Sequence, residues 1–201
     1  MKHTIFMLML LLMAFYLFGQ RYDGPFGLKM GLTLSQLKQI DSEVSETDNE
    51  GVFRMNIVPK PHKSFESYFI VVSPKTGLAK IIAISEDVIT NSSGSALRSK
   101  YTEVRDAIYK KYGDYTEHDF VNSGSIWTEP QYFMHALDSG DAYLSSTWEN
   151  SEGSIIPEEI ADIYLSVDSL DTRTGYMKLM YEFTNFSDYA DEIKEKEDSS
   201  F

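Results

Sequence analysis

The sequence contains no cysteine among its 201 residues. This absence excludes disulfide bonds, thiolate metal sites and cysteine nucleophiles, and it also excludes the lipidated cysteine of a bacterial lipoprotein. It does not fix the compartment, because a reducing cytosol and an oxidising space in which bridges were never needed are both compatible with it.

Basic residues are scarce as well. The chain has 31 Asp and Glu residues but only 18 Lys and Arg, which gives a net charge of −13. A surface of that charge repels phosphate backbones and anionic lipid, so nucleic-acid binding is not expected. The acidic excess is compatible with simple solubility and with a basic protein partner.

Familiar catalytic and metal-binding motifs are also missing. The sequence has no Gly-x-Ser-x-Gly element, no P-loop and no dinucleotide-binding fingerprint. His62, His118 and His135 lie far apart without zinc-site spacing, and acid pairs such as Glu158-Glu159 do not follow the spacing of a calcium loop. We therefore predict no catalytic residue, no metal and no cofactor.

A long apolar run occurs only at the N-terminus. A basic start of three residues precedes Thr4–Phe18, which is uncharged. This pattern is typical of a secretory signal peptide over residues 1–19, and it predicts a periplasmic or secreted protein. The alternative is an uncleaved anchor, since a small-x-small cleavage site is lacking, although a spanning helix needs about 20 apolar residues. In that case the segment would be the only membrane contact.

Helical periods occur in several parts of the remaining chain. Apolar residues spaced four, three, four and four apart predict one long helix that ends before Gly113. Its apolar face is formed by Leu97, Tyr101, Val104, Ile108 and Tyr112. Thr33 with Gln36, and Thr128 with Gln131, each predict a capping box at the start of a short helix, and a last helix is predicted over 188–198.

Period-two alternation predicts the strands. One strand is expected over 52–58 with Phe53, Met55 and Ile57 inward. Segment 114–126 is polar and is predicted to be a loop. Further strands are expected at 68–73, 78–85, 142–148, 163–167 and 177–183. Pro74 and Gly77 predict a tight turn between the second and third strands, with a positive φ at the glycine.

The two halves of the chain share this order of elements. Thr33 and Thr128 are 95 residues apart, and the hairpin glycines Gly77 and Gly175 are 98 apart. The segments KTGLAKII and RTGYMKLM also match in chemical class. We predict an α+β protein made of tandem diverged α-β-β-β-α repeats, 24–114 and 115–201, that form an antiparallel sheet packed by helices in one compact unit. Coincidence is the alternative, because Thr-Gly is a common turn.

One pair of short motifs resembles a known signature. Ser35-Gln36-Leu37-Lys38 followed by Lys75-Thr76-Gly77 resembles the Ser-x-x-Lys and Lys-Thr-Gly elements of penicillin-binding proteins and serine β-lactamases. The second half carries Arg173-Thr174-Gly175 at the matching position without a Ser-x-x-Lys, and the chain has no room for the long helical domain of that family. We interpret Lys75-Thr76-Gly77 as a turn.

Tyrosine and lysine residues on one predicted sheet face are the candidate binding residues. Tyr143, Tyr164 and Tyr176 fall at outward positions of the strands, and Lys80 and Lys178 lie beside them on the hairpins. Tyrosines interleaved with lysine are typical of protein contact surfaces. The alternative is that helices cover this face and the tyrosines are core.

The leading functional hypothesis is a non-catalytic protein that binds another protein, as an inhibitor or immunity protein does. In architecture, tandem helix-and-sheet repeats resemble the β-lactamase inhibitory proteins and the small outer-membrane assembly modules. The Gly31-Leu32-Thr33 start is similar to that of the latter, and no functional residue is carried over. The alternatives are a periplasmic hydrolase that uses acids near 114–126 and 138–152, and a tethered envelope structural protein. The oligomeric state is not predicted.

Overall fold

The computed structural model describes residues 23–198, and within that range the chain forms four α-helices and nine strands. The helices are α1 Leu34–Ile40, α2 Ser95–Tyr112, α3 Phe133–Asp138 and α4 Phe186–Asp198. The strands are β1 Ser45–Glu46, β2 Val52–Met55, β3 Ser67–Ser73, β4 Gly77–Ile84, β5 Val88–Ile89, β6 Thr116–Val121, β7 Ala142–Glu149, β8 Ile160–Asp171 and β9 Thr174–Phe183. The predicted mixed α+β class is confirmed. The predicted signal peptide or anchor at 1–19 lies outside the described residues.

The strands form a single antiparallel sheet with the order β1-β2-β3-β4-β9-β8-β7-β6, and β5 pairs with β9 beside this path. Strands β4 and β9 meet at the centre, where Ile82 lies opposite Met180. The sheet is therefore continuous between the first and second halves of the chain, which share one core.

The predicted alternation decides which side chains enter this core. Met177, Leu179, Tyr181 and Phe183 of β9 are all buried, while the residues between them are half-buried. In β8 the residues Ile163, Leu165 and Val167 are likewise buried. Successive side chains of a strand point to opposite faces, so one face of the sheet becomes the core face.

Helix α2 packs on the core face through its predicted apolar stripe. All five stripe residues, Leu97 to Tyr112, are no more than 6% exposed. The ring of Tyr112 lies 6.2 Å from that of Tyr181 in β9, and the hydroxyl of Tyr101 lies 2.6 Å from Oγ of Ser146 in β7. Helices α1 and α3 bury Leu37 and Phe133 in the same core.

The opposite side of the sheet, which we call the open face, carries the alternate residues of β3, β4, β9, β8 and β7. Its larger side chains are Phe69, Ile82, Met180, Tyr164 and Tyr143, all of them half-buried or exposed. Helix α4 contacts the open face at Lys80, whose ammonium lies 3.8 Å from the centre of the Phe186 ring.

The strand predicted over 52–58 is shorter than expected, and Ile57 is 59% exposed instead of inward. The cause is Asp41, which is buried beyond the end of α1. Its carboxylate accepts the backbone N–H of Asn56 at 2.6 Å and of Ile57 at 3.1 Å. Since these amides bond to a side chain, they are not part of the ladder, and β2 ends at Met55.

The capping boxes have different outcomes. At α1 the Thr33 hydroxyl accepts the N–H of Gln36, and the Gln36 side chain accepts the N–H of Thr33, so this box is confirmed. The box predicted at Thr128 is wrong, because a 3₁₀ turn over Pro130–Tyr132 precedes α3 and its cap has no side-chain hydrogen bond. The start of α3 is set by burial of Phe133 and by an N–H bond from Met134 to the carbonyl of Ser92.

The two hairpin turns also differ. Gly77 has the predicted positive φ of 78° and pairs with Ser73, whereas Gly175 is absent from the positive-φ residues and follows a tighter turn closed by Asp171 and Thr174. The glycine shared by the two sequences therefore has a different conformational role in each turn.

Replacing Gly77 with alanine should lower the free energy of unfolding by about 2–3 kcal/mol, because a left-handed backbone and a steric clash act together. A Cβ at this position would lie 2.4 Å from the carbonyl oxygen of Gly31. Gly140→Ala is the matched control: its φ is 76° but a Cβ meets nothing within 4 Å, so only about 1 kcal/mol should be lost. Urea denaturation of the two variants measures the difference, and equal losses would contradict the clash.

Candidate protein-binding face

All five residues predicted to bind a partner belong to the open face. Lys80 lies between the buried residues Ala79 and Ile81 of β4, and Tyr143 precedes the buried Leu144 of β7. Tyr164 of β8, and Tyr176 and Lys178 of β9, occupy the same alternate positions and are half-buried, while Tyr143 is 46% exposed. The pleat therefore brings residues that are up to 98 positions apart in sequence to one surface.

Four apolar side chains form a row across the middle of this face. Phe69 of β3 pairs with Ile82 of β4, which pairs with Met180 of β9. Met180 in turn pairs with Tyr164 of β8. Directly opposed residues have Cβ atoms about 4.5–5.5 Å apart. We call this continuous apolar strip the central row.

Beside the central row the floor of the face is lined by small residues. Ser145 of β7 pairs with Ser166 of β8, and Ser166 pairs with Lys178 of β9. Both serines are buried, at 5% and 7% exposed, although they lie on the open face. Their same-face neighbours along the strands include Tyr143 and Tyr164, so small side chains here alternate with large ones. The face is therefore uneven, with raised aromatic rings beside a low serine floor.

Lys178 lies at the edge of this floor. It is half-buried, and no ion pair to it is found among residues 23–198. An ammonium group beside apolar and hydroxyl side chains is well placed to bond an acceptor on a partner molecule.

An aromatic contact with β6 and a hydrogen bond between β8 and β9 orient two tyrosines of the open face. Phe120 stacks on Tyr143 with ring centres 5.1 Å apart, and both rings are almost half exposed. The Tyr176 hydroxyl donates to Asp168 at 3.2 Å, and burial together with the adjacent Asp168 carboxylate raises the pKa of Tyr176. These contacts hold two of the predicted tyrosines in defined positions.

Sequence reasoning missed Phe120, because it interpreted 114–126 as a loop. The prediction is wrong: Thr116–Val121 forms the edge strand β6, which pairs with β7. Most residues of β6 are exposed, so the strand lacks an alternation of buried and exposed positions. It is held by Arg98 of α2, which binds Asp119 through two hydrogen bonds of 2.7 and 2.9 Å. The only sequence signal was the β-forming Phe120-Val121 pair.

A charged row borders the central row on its other side. Lys80 forms a 2.6 Å ion pair with Glu182 and also contacts the Phe186 ring, so it is already engaged within the chain. Asp162 lies opposite Glu182, and Glu149 lies opposite Asp162. Burial, and then the charge of Glu182, raise the pKa of Asp162. Three carboxyl groups against one ammonium make this border acidic.

The Lys75-Thr76-Gly77 stretch is the β3–β4 turn, as predicted. The amides of Lys75 and Thr76 donate to the Ser73 hydroxyl at 3.0 and 2.9 Å, and Lys75 faces Glu195 of α4 at 3.8 Å. Ser35 lies in the first turn of α1 and is exposed. These contacts are those of a turn that packs against a helix.

Between residues 23 and 198, no group of three or more His, Asp or Glu side chains is arranged to hold a metal ion. Judged by length and hydropathy, none of the four described helices qualifies as a membrane span. The anchor alternative depends on residues 1–19 and lies outside the described part of the chain.

Comparison with known proteins adds no relative: the chain matches no protein-family model, no curated protein and no solved structure.

Proposed function

We propose that this protein is a non-catalytic binding module that attaches to another protein through its open face. One observation carries the proposal: Tyr143, Tyr164 and Tyr176 lie on the same face of the sheet as the central row. Helices α1, α2 and α3 pack on the other face. Aromatic side chains around an apolar strip are the usual anchors of a protein interface.

The charge of the border favours a basic partner. Glu149, Asp162 and Glu182 lie in one row with Lys80 as the only cation, within a chain of net charge −13. Opposite charges steer association and suppress wrong partners. An inhibitor or immunity protein that neutralises a basic protein fits this arrangement, and the N-terminal sequence pattern favours a periplasmic or secreted location.

The proposal includes an origin by duplication. Each half contains a helix, three strands and a helix in the same order, α1-β2-β3-β4-α2 and α3-β7-β8-β9-α4. At the centre of the sheet Ile82 pairs with Met180, 98 positions later, which equals the separation of Gly77 and Gly175. A two-fold arrangement of equal units pairs equivalent residues in this way. The strands β1, β5 and β6, and the missing cap at Thr128, depart from the common plan.

A carboxylate hydrolase is the second candidate function. Its support is Asp162, a half-buried carboxyl group whose pKa is raised by burial and then by the charge of the neighbouring Glu182. The two candidates differ in their readout, because a hydrolase variant loses turnover whereas a binding variant loses a partner.

The test is capture with the purified protein as bait from extracts of the producing cells, followed by purification of the captured partner and titration calorimetry. We expect Tyr143→Ala and Tyr164→Ala each to weaken the complex by about thirtyfold, the effect of an interface anchor worth about 2 kcal/mol. The matched control is Tyr109→Ala on α2, since Tyr109 is 47% exposed but belongs to the helical side.

Equal losses at Tyr109 and Tyr143 would place the interface elsewhere. Absence of a stoichiometric partner, together with substrate turnover that Asp162→Asn abolishes, would favour the hydrolase.

A further inference from the structure

A second feature of the molecule lies on the helical side of the sheet, away from the open face. A half-open cavity of about 590 Å³ lies between α2, the segment before α1 and the loop around Lys60 and Phe65. Its volume falls within the range of about 300–1,000 Å³ that is usual for small-molecule sites.

The walls of the cavity are largely apolar. Val104 and Ile108 of α2 and Leu179 of β9 line it, together with the rings of Phe26 and Phe65. The two phenylalanine rings pack edge to face with centres 6.0 Å apart. Such a lining accommodates the hydrocarbon part of a ligand and removes it from water.

The backbone at Phe26 is strained. With φ at 54° and ψ at 18°, it is the one positive-φ residue other than glycine within 23–198. The left-handed region costs a residue with a Cβ roughly 1–2 kcal/mol. This conformation places the Phe26 ring against Tyr68 and Tyr181, at 5.0 and 5.8 Å, where it forms a wall of the cavity.

Tyr112, which also lines this cavity, carries a buried hydroxyl without a partner within residues 23–198. Tyr112 is 1% exposed, and its hydroxyl makes no hydrogen bond among the described residues. Tyr101 on the same helix differs, because its equally buried hydroxyl forms a hydrogen bond with Ser146 at 2.6 Å. Leaving a buried polar group unpaired costs about 1–3 kcal/mol, so a ligand that supplies an acceptor would remove this cost.

The charged groups at the cavity favour a negatively charged ligand group as that acceptor. Lys60 is neutralised by an ion pair with Asp23. Lys111 is exposed, lies 4.7 Å from the centre of the Tyr112 ring, and has no ion pair within residues 23–198. The ammonium and the unpaired phenol hydroxyl thus belong to consecutive residues that line the cavity of an otherwise acidic protein, and both can donate to a carboxylate.

We propose that the cavity binds an amphiphilic carboxylate of the fatty-acid type. The hydrocarbon chain lies against Val104, Ile108 and the phenylalanine rings, and the carboxylate faces Lys111 and accepts the Tyr112 hydroxyl, which turns toward the ligand on binding. This site is separate from the open face and does not depend on the proposed function.

Titration of the full chain with dodecanoate below its micelle-forming concentration tests the site. We expect saturable binding at one site, with dodecanol bound more weakly and dodecyltrimethylammonium not bound. Tyr112→Phe keeps the ring and removes only the hydroxyl, and it should weaken dodecanoate binding about tenfold without lowering the melting temperature of the free protein. Lys111→Gln should weaken dodecanoate binding but not dodecanol binding.

Three control variants separate binding in this cavity from binding elsewhere on the protein. Lys110→Gln changes the neighbouring lysine of the same helical turn and should leave the affinity unchanged. Tyr164→Ala alters the open face and should also have no effect, whereas Ala107→Trp should block the cavity, which Ala107 lines.

The proposal is overturned if dodecanoate does not bind, or if it binds equally well to Tyr112→Phe and Ala107→Trp. Disulfide trapping between a cysteine introduced at position 107 and one introduced in the apolar segment Thr4–Phe18 of the same chain would also overturn it, and would assign the cavity to that segment.

Discussion

Replacing Trp148 with alanine is expected to lower the free energy of unfolding by about 3–5 kcal/mol, the usual cost of deleting a large buried aromatic side chain. Trp148 is 0% exposed and is the largest fully buried side chain in the described core. Its indole N–H donates to the carbonyl of Gly113 at 3.0 Å, and its ring lies 5.0 Å from that of Tyr115. The residue thus joins β7 to the end of α2, and its loss removes packing and a hydrogen bond together.

A graded series separates these two contributions. Trp148→Phe keeps most of the apolar contact but leaves the Gly113 carbonyl without its donor, so about 1–3 kcal/mol should be lost. Trp127→Phe is the control, since Trp127 is only partly buried and stacks on His135 near the surface. It should cost less than about 1 kcal/mol.

Urea denaturation followed by circular dichroism and tryptophan fluorescence measures this series. Because the chain has two tryptophans, Trp127→Phe also leaves Trp148 as the single reporter. A loss below about 1 kcal/mol for Trp148→Ala would be incompatible with the core position described for this ring.

The second large effect is expected at Asp41. Its carboxylate is 1% exposed and accepts three backbone N–H groups, from Glu43, Asn56 and Ile57, at 3.0, 2.6 and 3.1 Å. Asp41→Ala leaves these donors unpaired, and a loss of about 3 kcal/mol in the free energy of unfolding should follow. The matched control is Asp48→Ala, which removes an exposed acid of the following loop and should change stability by less than about 0.5 kcal/mol.

Asp41 should also make stability depend on pH. Burial alone would raise the pKa of its carboxyl group, but the three backbone N–H bonds outweigh burial and hold the pKa below the ordinary value of 3.8. A lowered pKa in the folded state means that the unfolded state binds more protons as the solution becomes acidic. The contribution of Asp41 is therefore complete well above pH 3.8 and is lost as pH falls through this value toward the folded-state pKa.

Asp41→Asn provides the measurement, because it removes the charge at nearly constant shape. The difference in unfolding free energy between the natural protein and this variant should be constant from pH 7 to about pH 5 and should shrink below about pH 4. A difference that grows on acidification would show that the sign of the pKa shift is wrong.

Local patterns predicted the elements that bury one regular stripe. The four-three-four-four spacing from Leu97 to Tyr112 predicted α2, and strict alternation predicted β7, β8 and β9, because 3.6- and 2-residue periods are properties of the neighbouring chain alone. The Thr33 capping box and the positive φ of Gly77 were predictable for the same reason, since each involves residues a few positions apart. The open-face positions of Tyr143, Tyr164 and Tyr176 follow from this alternation.

Where distant groups compete for the same backbone, the sequence was not sufficient. Asp41 is 15 positions from Asn56, yet its carboxylate ends β2. Strand β6 depends on pairing with β7 and on Arg98 and Arg105 of α2, which bind Asp119 and Glu117. The cap predicted at Thr128 is absent because the burial of Phe133 sets the start of α3. In each case a long-range hydrogen bond or contact outweighs a local preference that is worth only about 1 kcal/mol.

By itself, the sequence determined which side chains belong together on each helix and strand, because these sets repeat within a few residues. Only the tertiary structure decided what those sets face. Strand order and register brought Phe69, Ile82, Met180 and Tyr164 into one row. The packing of α2 paired the Tyr101 hydroxyl and left that of Tyr112 buried without a partner among residues 23–198. Register and burial are set by contacts between residues far apart in the chain, so no local period encodes them.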